Sequence, residues 1–196
     1  MDNLPLVIAS TNEGKIKEFK KLLEDLPFNL LTQPLGLEIE ETGKTFIENA
    51  RLKAIAVSKK TGNLSLADDS GLSVEALRGA PGIYSSRYAS SDKERIDKLL
   101  FDMKSFSNRK AQFECALCVA SGGKVLIEVL GFCEGLITFC PKGQNGFGYD
   151  PIFEVSLLGE TFAEMNQEKK KQISHRGQAF KLLKPKLRKL LNSIKN

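Results

Sequence analysis

Two adjacent carboxylates and a hydroxyl, Asp68-Asp69-Ser70, follow the apolar run Leu64-Ser65-Leu66-Ala67 and precede Gly71. The run reads as a buried strand. Taking a carboxylate out of water is costly unless it binds a cation or shares a proton. The pair is therefore a candidate for divalent-cation or general acid–base chemistry. A plainer alternative stays open at this point: Asp69 or Ser70 could cap a helix suggested by Leu72, Val74 and Leu77.

Four further segments carry residue types suited to a phosphorylated ligand. Ser10-Thr11-Asn12-Glu13-Gly14-Lys15 lies between an apolar strand and a helix, where free backbone N–H groups and the helix dipole attract phosphate and Lys15 adds a charge. It is not a Walker A loop, because Ala9 stands where that motif has glycine and Ile16 follows Gly14-Lys15. Simple capping by Thr11 or Asn12 explains it as well. Glu38, Glu40 and Glu41 precede a second helix; they could answer its dipole or, with Asp68 and Asp69, complete an oxygen-rich Mg²⁺ site. Gly143-Gln-Asn-Gly-Phe147-Gly148-Tyr149-Asp150-Pro151 sets aromatics among glycines, as in a loop on which a nucleobase stacks; a turn with packed aromatics has the same composition. Ser174-His175-Arg176-Gly177, after Lys169-Lys170-Lys171, puts the only histidine beside donors for phosphate or a carbonyl oxygen.

These segments need elements to hold them. Leu4–Ala9 reads as a strand, followed by a helix with Ile16, Phe19, Leu22, Leu23 and Leu26 on one side and a strand near Phe28 to Thr32. Thr42-Gly-Lys-Thr45 introduces a helix to about Lys60, with Phe46, Ala50, Ala54 and Val57 inward. Gly79 to Ser91 reads as a loop and Asp92 to Met103 as a helix. Strands near Ala111–Ala120 and Val125–Cys133 flank the Ser-Gly-Gly-Lys turn at 121–124, and a short strand spans Leu136 to Phe139. The pattern predicts one mixed-sheet α/β domain over residues 1–196, with parallel βα units first and an antiparallel ribbon later.

With 41% hydrophobic and 27% charged residues, the chain has the balance of a globular protein with a full core. The start, Met-Asp-Asn-Leu-Pro, lacks the basic and apolar regions of a secretory leader, and no stretch nears the ~18 apolar residues of a membrane span. A soluble, cytoplasmic protein with no membrane partner is expected. Cys115 and Cys118 are three apart on a strand, hence on opposite faces and unable to chelate one metal; with Cys133 and Cys140 they read as buried thiols. From Glu168 onward, ten Lys or Arg face one acid. Phe180, Leu183, Leu187, Leu190, Leu191 and Ile194 keep helical spacing there, so the lysines fall on a solvated face, with Pro185 kinking or restarting the helix.

Taken together, Ser10–Lys15, Glu40-Glu-Thr-Gly-Lys-Thr-Phe-Ile-Glu-Asn-Ala50, Ala67-Asp-Asp-Ser-Gly71, Gly79-Ala-Pro-Gly-Ile-Tyr-Ser85, Phe147-Gly-Tyr-Asp-Pro151 and Ser174-His-Arg-Gly177 occur in the order found in one family. The sequence resembles the inosine/xanthosine triphosphate pyrophosphatases. The resemblance implies an elongated two-lobed α/β fold with a central cleft, usually homodimeric. It implies Mg²⁺-dependent hydrolysis of ITP, dITP and XTP to monophosphate and pyrophosphate, which keeps these bases out of DNA and RNA. By the same resemblance Ser10, Thr11, Asn12, Gly14 and Lys15 bind the triphosphate with help from Lys53, Glu40 and Asp69 hold Mg²⁺, and Asp69 is the general base. Ser70, Phe147, Gly148, Tyr149, Asp150, Lys170, His175 and Arg176 bind the nucleotide. Thr11 stands where many relatives have glycine.

The chemistry is coherent on the residues alone. Hypoxanthine and xanthine present a carbonyl at position 6 and adenine an amino group, so donors from Arg176 or His175 pair with the former only. Guanine shares the carbonyl, so its rejection needs a contact hostile to its 2-amino group. Two other classes compete. A phosphatase using Asp68 or Asp69 as nucleophile would release orthophosphate. A nucleic-acid module led by the basic C-terminal helix would show steeply salt-dependent binding and leave the acidic pair unexplained; no nucleic-acid partner is expected.

Overall fold

The structure, a computed structural model, describes residues 3–195. Its sheet has seven strands in the order β2-β1-β3-β4-β5-β6-β7, where β1 is Leu4–Ala9, β2 Phe28–Thr32, β3 Leu64–Val74, β4 Lys110–Ser121, β5 Lys124–Ile137, β6 Phe153–Val155 and β7 Glu160–Thr161. The helices are α1 (Glu13–Leu22), α2 (Phe46–Thr61), α3 (Asp92–Asp102), α4 (Gln167–Ile173) and α5 (His175–Lys195). β1 runs parallel to both β2 and β3, with Leu6 opposite Leu30 and Leu64, while β5, β6 and β7 are antiparallel. The parallel-then-antiparallel order expected from the sequence is the one observed. Among the described residues, no helix is long and apolar enough to cross a membrane.

Two compact units share the chain: one runs to Asp69 and takes in Cys115–Gly131 and the residues from Ala179, the other holds Ser70–Glu114 and Phe132–Gln178. In the first unit, strand alternation sorts side chains onto two faces. Leu6, Ile8, Leu64, Leu66, Leu117 and Val119 join Phe19 of α1 and Phe180 of α5 in one core, where the two rings meet edge-on at 4.9 Å. The other face is built of small residues, Val7, Ala9, Ser65 and Ala67, all buried. There α2 packs close enough for the Ser65 hydroxyl to donate to the Ala54 carbonyl at 2.6 Å. Asn12 caps α1, and Thr45 caps α2 by accepting from the Glu48 amide. Burial of Cys115 and Cys118 follows from their place in β4, covered on both faces, and burial pushes the Cys118 thiol up to about 12.

In the second unit, Leu72 and Val74 pack with Ile96, Leu99 and Met103 of α3 and with Phe113, Phe153 and Phe162. The buried Arg109 guanidinium donates to the carbonyls of Met103, Ile137 and Thr138, tying the end of α3 to the end of β5. The glycine pair Gly122-Gly123, both at positive φ, makes the tight turn between β4 and β5.

Four local expectations change. β3 continues to Val74, so Asp68, Asp69 and Ser70 lie inside a strand, and only a 3₁₀ turn, Glu75–Leu77, follows; buried Leu72 and Val74 alternate with half-buried Ser73, which is strand periodicity. Leu136 and Ile137 extend β5 and form no separate strand. Pro185 leaves α5 unbroken; it and Lys181, the residue one turn before it, are both exposed. Cys140 is exposed, unlike the other three cysteines.

At the α4–α5 junction the Ser174 amide donates to the Lys170 carbonyl at 2.9 Å, and Ser174 itself is extended, so the chain turns from one helix into the next. A Cβ on Gly177 would lie 1.9 Å from the Lys171 carbonyl oxygen. Gly177→Ala is therefore expected to cost about 1–3 kcal/mol in stability, as overpacking does, read as a lower urea midpoint; an unchanged midpoint would show that the junction relaxes freely.

Candidate active site

β3 places consecutive side chains on opposite faces, and this sends the two carboxylates to different helices. Asp68, on the α1 and α5 face, is 1% exposed and pairs with Lys15 Nζ at 3.0 Å. Asp69, on the α2 face, accepts from Asn49 Nδ2 at 3.0 Å and lies 3.5 Å from Lys53 Nζ. Lys53 also holds Glu41 at 2.6 Å. Asn49 completes the arrangement: fully buried, it accepts through Oδ1 from the Gly43 amide at 2.8 Å. A Cβ on Gly43 would fall 2.6 Å from that oxygen, which explains a residue without a side chain there. Three carboxylates and two ammonium groups thus form one charge cluster in the first unit.

Burial sets the electrostatics. Desolvation raises the Asp69 carboxyl above its ordinary value, and Glu41 and Asp68 add to this against the attraction of Lys53 and Lys15. For Lys53, burial disfavours the ammonium, yet attraction to Asp69, Asp68 and Glu41 more than offsets it, so its pKa stands above the ordinary lysine value. Beside this cluster the Ser10–Lys15 segment forms the entry to α1. The Asn12 amide donates to Ser10 Oγ at 3.2 Å, and the Lys15 amide donates to Asn12 Oδ1 at 3.0 Å.

The donor set suits a hard divalent cation: carboxylates exceed ammonium groups, and all its acceptors are oxygens. Among the described residues, no group of three or more His, Cys, Asp or Glu could hold a metal unaided. A cation here fits as Mg²⁺ does, on one or two carboxylates with the remaining positions left to water and phosphate oxygens. Glu40 is exposed, and its neighbour Glu41 is the one that reaches Lys53.

The second unit gathers the remaining candidates. Arg176 Nη2 donates to Ser70 Oγ at 2.8 Å. Lys170 Nζ pairs with buried Asp150 at 2.6 Å, and Asp150 also accepts from the Phe147 amide at 2.8 Å. The Phe147 ring has Arg176 Cζ and Lys170 Nζ each 5.2 Å from its centroid. Tyr149 donates its hydroxyl to the Ser85 carbonyl at 2.9 Å, anchoring the loop. His175 is buried as the first residue of α5, stacked on Phe113 with 4.5 Å between rings and 9° between planes. An aromatic ring flanked by cationic donors can bind a flat, carbonyl-bearing heterocycle.

Sequence reasoning named Asp69, Lys15 and Lys53 but not Asn49 or the pairing of Glu41. The signal for Asn49 was present, since an amide three residues after Phe46 and next to Ala50 on the inward side of the helix needs a buried partner.

An open, mixed seven-stranded α/β sheet with helices, whose third strand carries a lysine-compensated carboxylate pair, defines the class of protein. The chain belongs to the Ham1 family, whose model matches residues 6–186. It is 80% identical over 195 residues, the full length of both chains, to a Prochlorococcus marinus (strain NATL1A) protein named dITP/XTP pyrophosphatase. It is 58% identical to a protein of that name from Synechococcus sp. (strain CC9311), covering 98% of this chain and 94% of that one. Among solved structures it is similar to a HAM1 protein from Coxiella burnetii, with TM-score 0.85 and 42% identity over 95% of this chain and 99% of that one. It is also similar to the Staphylococcus aureus Ham1 protein, with TM-score 0.84 and 43% identity over 94% and 98%.

In the metal-free protein, a carbon-13 titration should find Asp69 ionising above the range of an exposed aspartate. Lys53→Met removes the largest influence lowering that pKa, so the midpoint should move higher still. A midpoint that stays put or falls would show that Lys53 does not govern this carboxyl.

Proposed function

We propose that the chain hydrolyses non-standard purine nucleoside triphosphates, ITP, dITP and XTP, to the nucleoside monophosphate and pyrophosphate. The observation that carries this reading is its end-to-end 80% identity to a relative named for dITP and XTP, and the chemistry of the site agrees with it. Water attacks the α-phosphorus, and the bond from that phosphorus to the bridging oxygen of the leaving pyrophosphate breaks. Asp69 takes the proton from the water. Burial favours this, because a raised pKa makes a carboxylate a stronger base at neutral pH. Asn49 restrains the Asp69 carboxylate from turning away. Ser10, Thr11, Asn12, Gly14 and Lys15 bind the phosphates at the start of α1, and Lys53 assists.

Glu40 and Asp69 would hold Mg²⁺, with Glu41 adjacent. When bound, the ion would neutralise phosphate charge and acidify a water molecule. Phe147 stacks on the base, and Arg176, His175 and Lys170 offer donors to the position-6 carbonyl, while Ser70, Gly148, Tyr149 and Asp150 complete the nucleotide contacts. Arginine has no acceptor atom, so the amino group of adenine leaves it unpaired; sites built on such bonds discriminate by ~10⁴-fold. We place the enzyme in the cytoplasm as a homodimer that clears these nucleotides from the precursor pool.

The test is hydrolysis of ITP, dITP, XTP, ATP and GTP with Mg²⁺, scoring pyrophosphate separately from orthophosphate. Pyrophosphate from the first three, with ATP and GTP nearly untouched, supports the reading; orthophosphate would bring forward an aspartyl-phosphate mechanism. Asp69→Asn should cost ~10²–10⁴-fold in turnover while the fold stays intact, and near-normal turnover in that variant would remove Asp69 as the base. Arg176→Ala should weaken ITP binding by ~1–3 kcal/mol, measured by calorimetry; unchanged affinity would defeat its assignment.

A further inference from the structure

We propose that Asp92 is a positioning residue for the loop that receives the base, holding the peptide amide that follows Phe147. The inference rests on the reading of Phe147 as the base-stacking ring. Two peptide amides flank that ring, and each is gripped by a carboxylate. The Phe147 amide donates to Asp150 Oδ2 at 2.8 Å. The Gly148 amide donates to Asp92 Oδ2 at 2.7 Å, from 56 residues away in sequence. Gly148 has φ +63°, in the left-handed region, so the rotation of this peptide is limited mainly by what its amide meets.

Asp92 is itself held. Its Oδ1 accepts from Arg95 Nη1 at 2.6 Å, and Arg95 Nε donates to the Ala89 carbonyl at 3.1 Å. The chain of contacts runs from the start of α3 through Asp92 to the peptide that fixes the Phe147 ring 5.2 Å from Arg176 and Lys170. Slackening it misdirects the ring without touching the groups that carry the reaction. The expected consequence is weaker capture of the substrate at unchanged chemistry.

An acid in the first turn of a helix also has a purely structural use, stabilising the dipole. The two roles make different demands. The dipole requires charge, whereas the Gly148 amide requires an acceptor oxygen at one point in space. Asp92→Asn keeps the acceptor and loses the charge. Asp92→Glu keeps the charge and displaces the carboxylate by one methylene.

The experiment measures kcat and KM for ITP in the full chain, together with hydrogen exchange of the 143–151 segment. Asp92→Ala should raise KM roughly fivefold, as loss of a half-exposed charge-assisted bond does, with kcat within about twofold and faster exchange in the segment. Asp92→Asn should return both readouts close to wild type, and Asp92→Glu should not. Wild-type KM and exchange in Asp92→Ala would overturn the proposal. So would the reverse ranking, with Glu rescuing and Asn failing, which would assign Asp92 to the helix alone. If the wild-type protein does not turn over ITP, the proposed function falls, and the exchange comparison still decides whether Asp92 holds the loop.

Discussion

Two ionised side chains on neighbouring residues of a buried strand cannot be tolerated without compensation, and most of the first unit is arranged to supply it. A strand turns successive residues to opposite faces, so Asp68 and Asp69 cannot share one partner. Lys15 reaches Asp68 from the first turn of α1, and Asn49 and Lys53 reach Asp69 from α2. Each helix therefore has a fixed rotation and height as well as an apolar face to bury. The unlike packing on the two faces follows the same demand. Leucine and phenylalanine fill the α1 and α5 side, while alanine and serine let α2 come close enough for its polar side chains to reach Asp69. Isolated buried charges cost several kcal/mol each, which is why this pair needs amide and ammonium partners within hydrogen-bonding reach.

The second unit handles its charges through aromatic rings. Lys170 neutralises Asp150 and also lies over Phe147 and Phe162, at 5.2 and 5.5 Å. Phe113 stacks on His175 and meets Phe153 edge-on at 4.6 Å. The rings serve as core and as a low-dielectric setting for the cations, a setting that strengthens any hydrogen bond those cations donate. A Cβ at Gly146 would strike the Asp150 carboxylate at 1.9 Å and one at Gly143 the Ala163 backbone at 2.3 Å, so the 143–151 loop is drawn close to both. The loop is thus held by its contacts, with the fifth and sixth positions, Phe147 and Gly148, gripped from two sides.

What could be read from the sequence was whatever is local. Apolar periodicity marked α1, α2 and the parallel strands, and the residue types at 10–15, 68–70, 147–150 and 174–177 marked the segments to which the chemistry is assigned in the proposal. What escaped depends on partners distant in sequence. The length of β3 escaped because two acids and a serine look like a strand end until their lysines are seen. Asn49 was quoted within a motif yet given no role, because an amide on the inward side of a helix announces a need without saying for what. Glu41 and Glu40 are indistinguishable by type, and only the placement of Lys53 separates them. Pro185 reads as a helix break because sequence shows its missing N–H and not that it lies on the exposed side of the helix.

The same charge cluster explains why a cation belongs to the proposed reaction. Lys15 and Lys53, the groups proposed to meet phosphates, are both paired with carboxylates at 2.6 to 3.5 Å. In the proposed reaction a triphosphate at the α1 entry competes with those carboxylates for the same ammonium groups, and the buried Asp68 and Asp69 lose part of their compensation. On that reading a divalent ion supplies positive charge to the carboxylates as the ammonium groups turn toward phosphate oxygens. Under the proposed mechanism this donor set favours a phosphate that arrives with a divalent ion, and Asp69, the partner of Lys53 in the structure, would serve in turn as a ligand and a base.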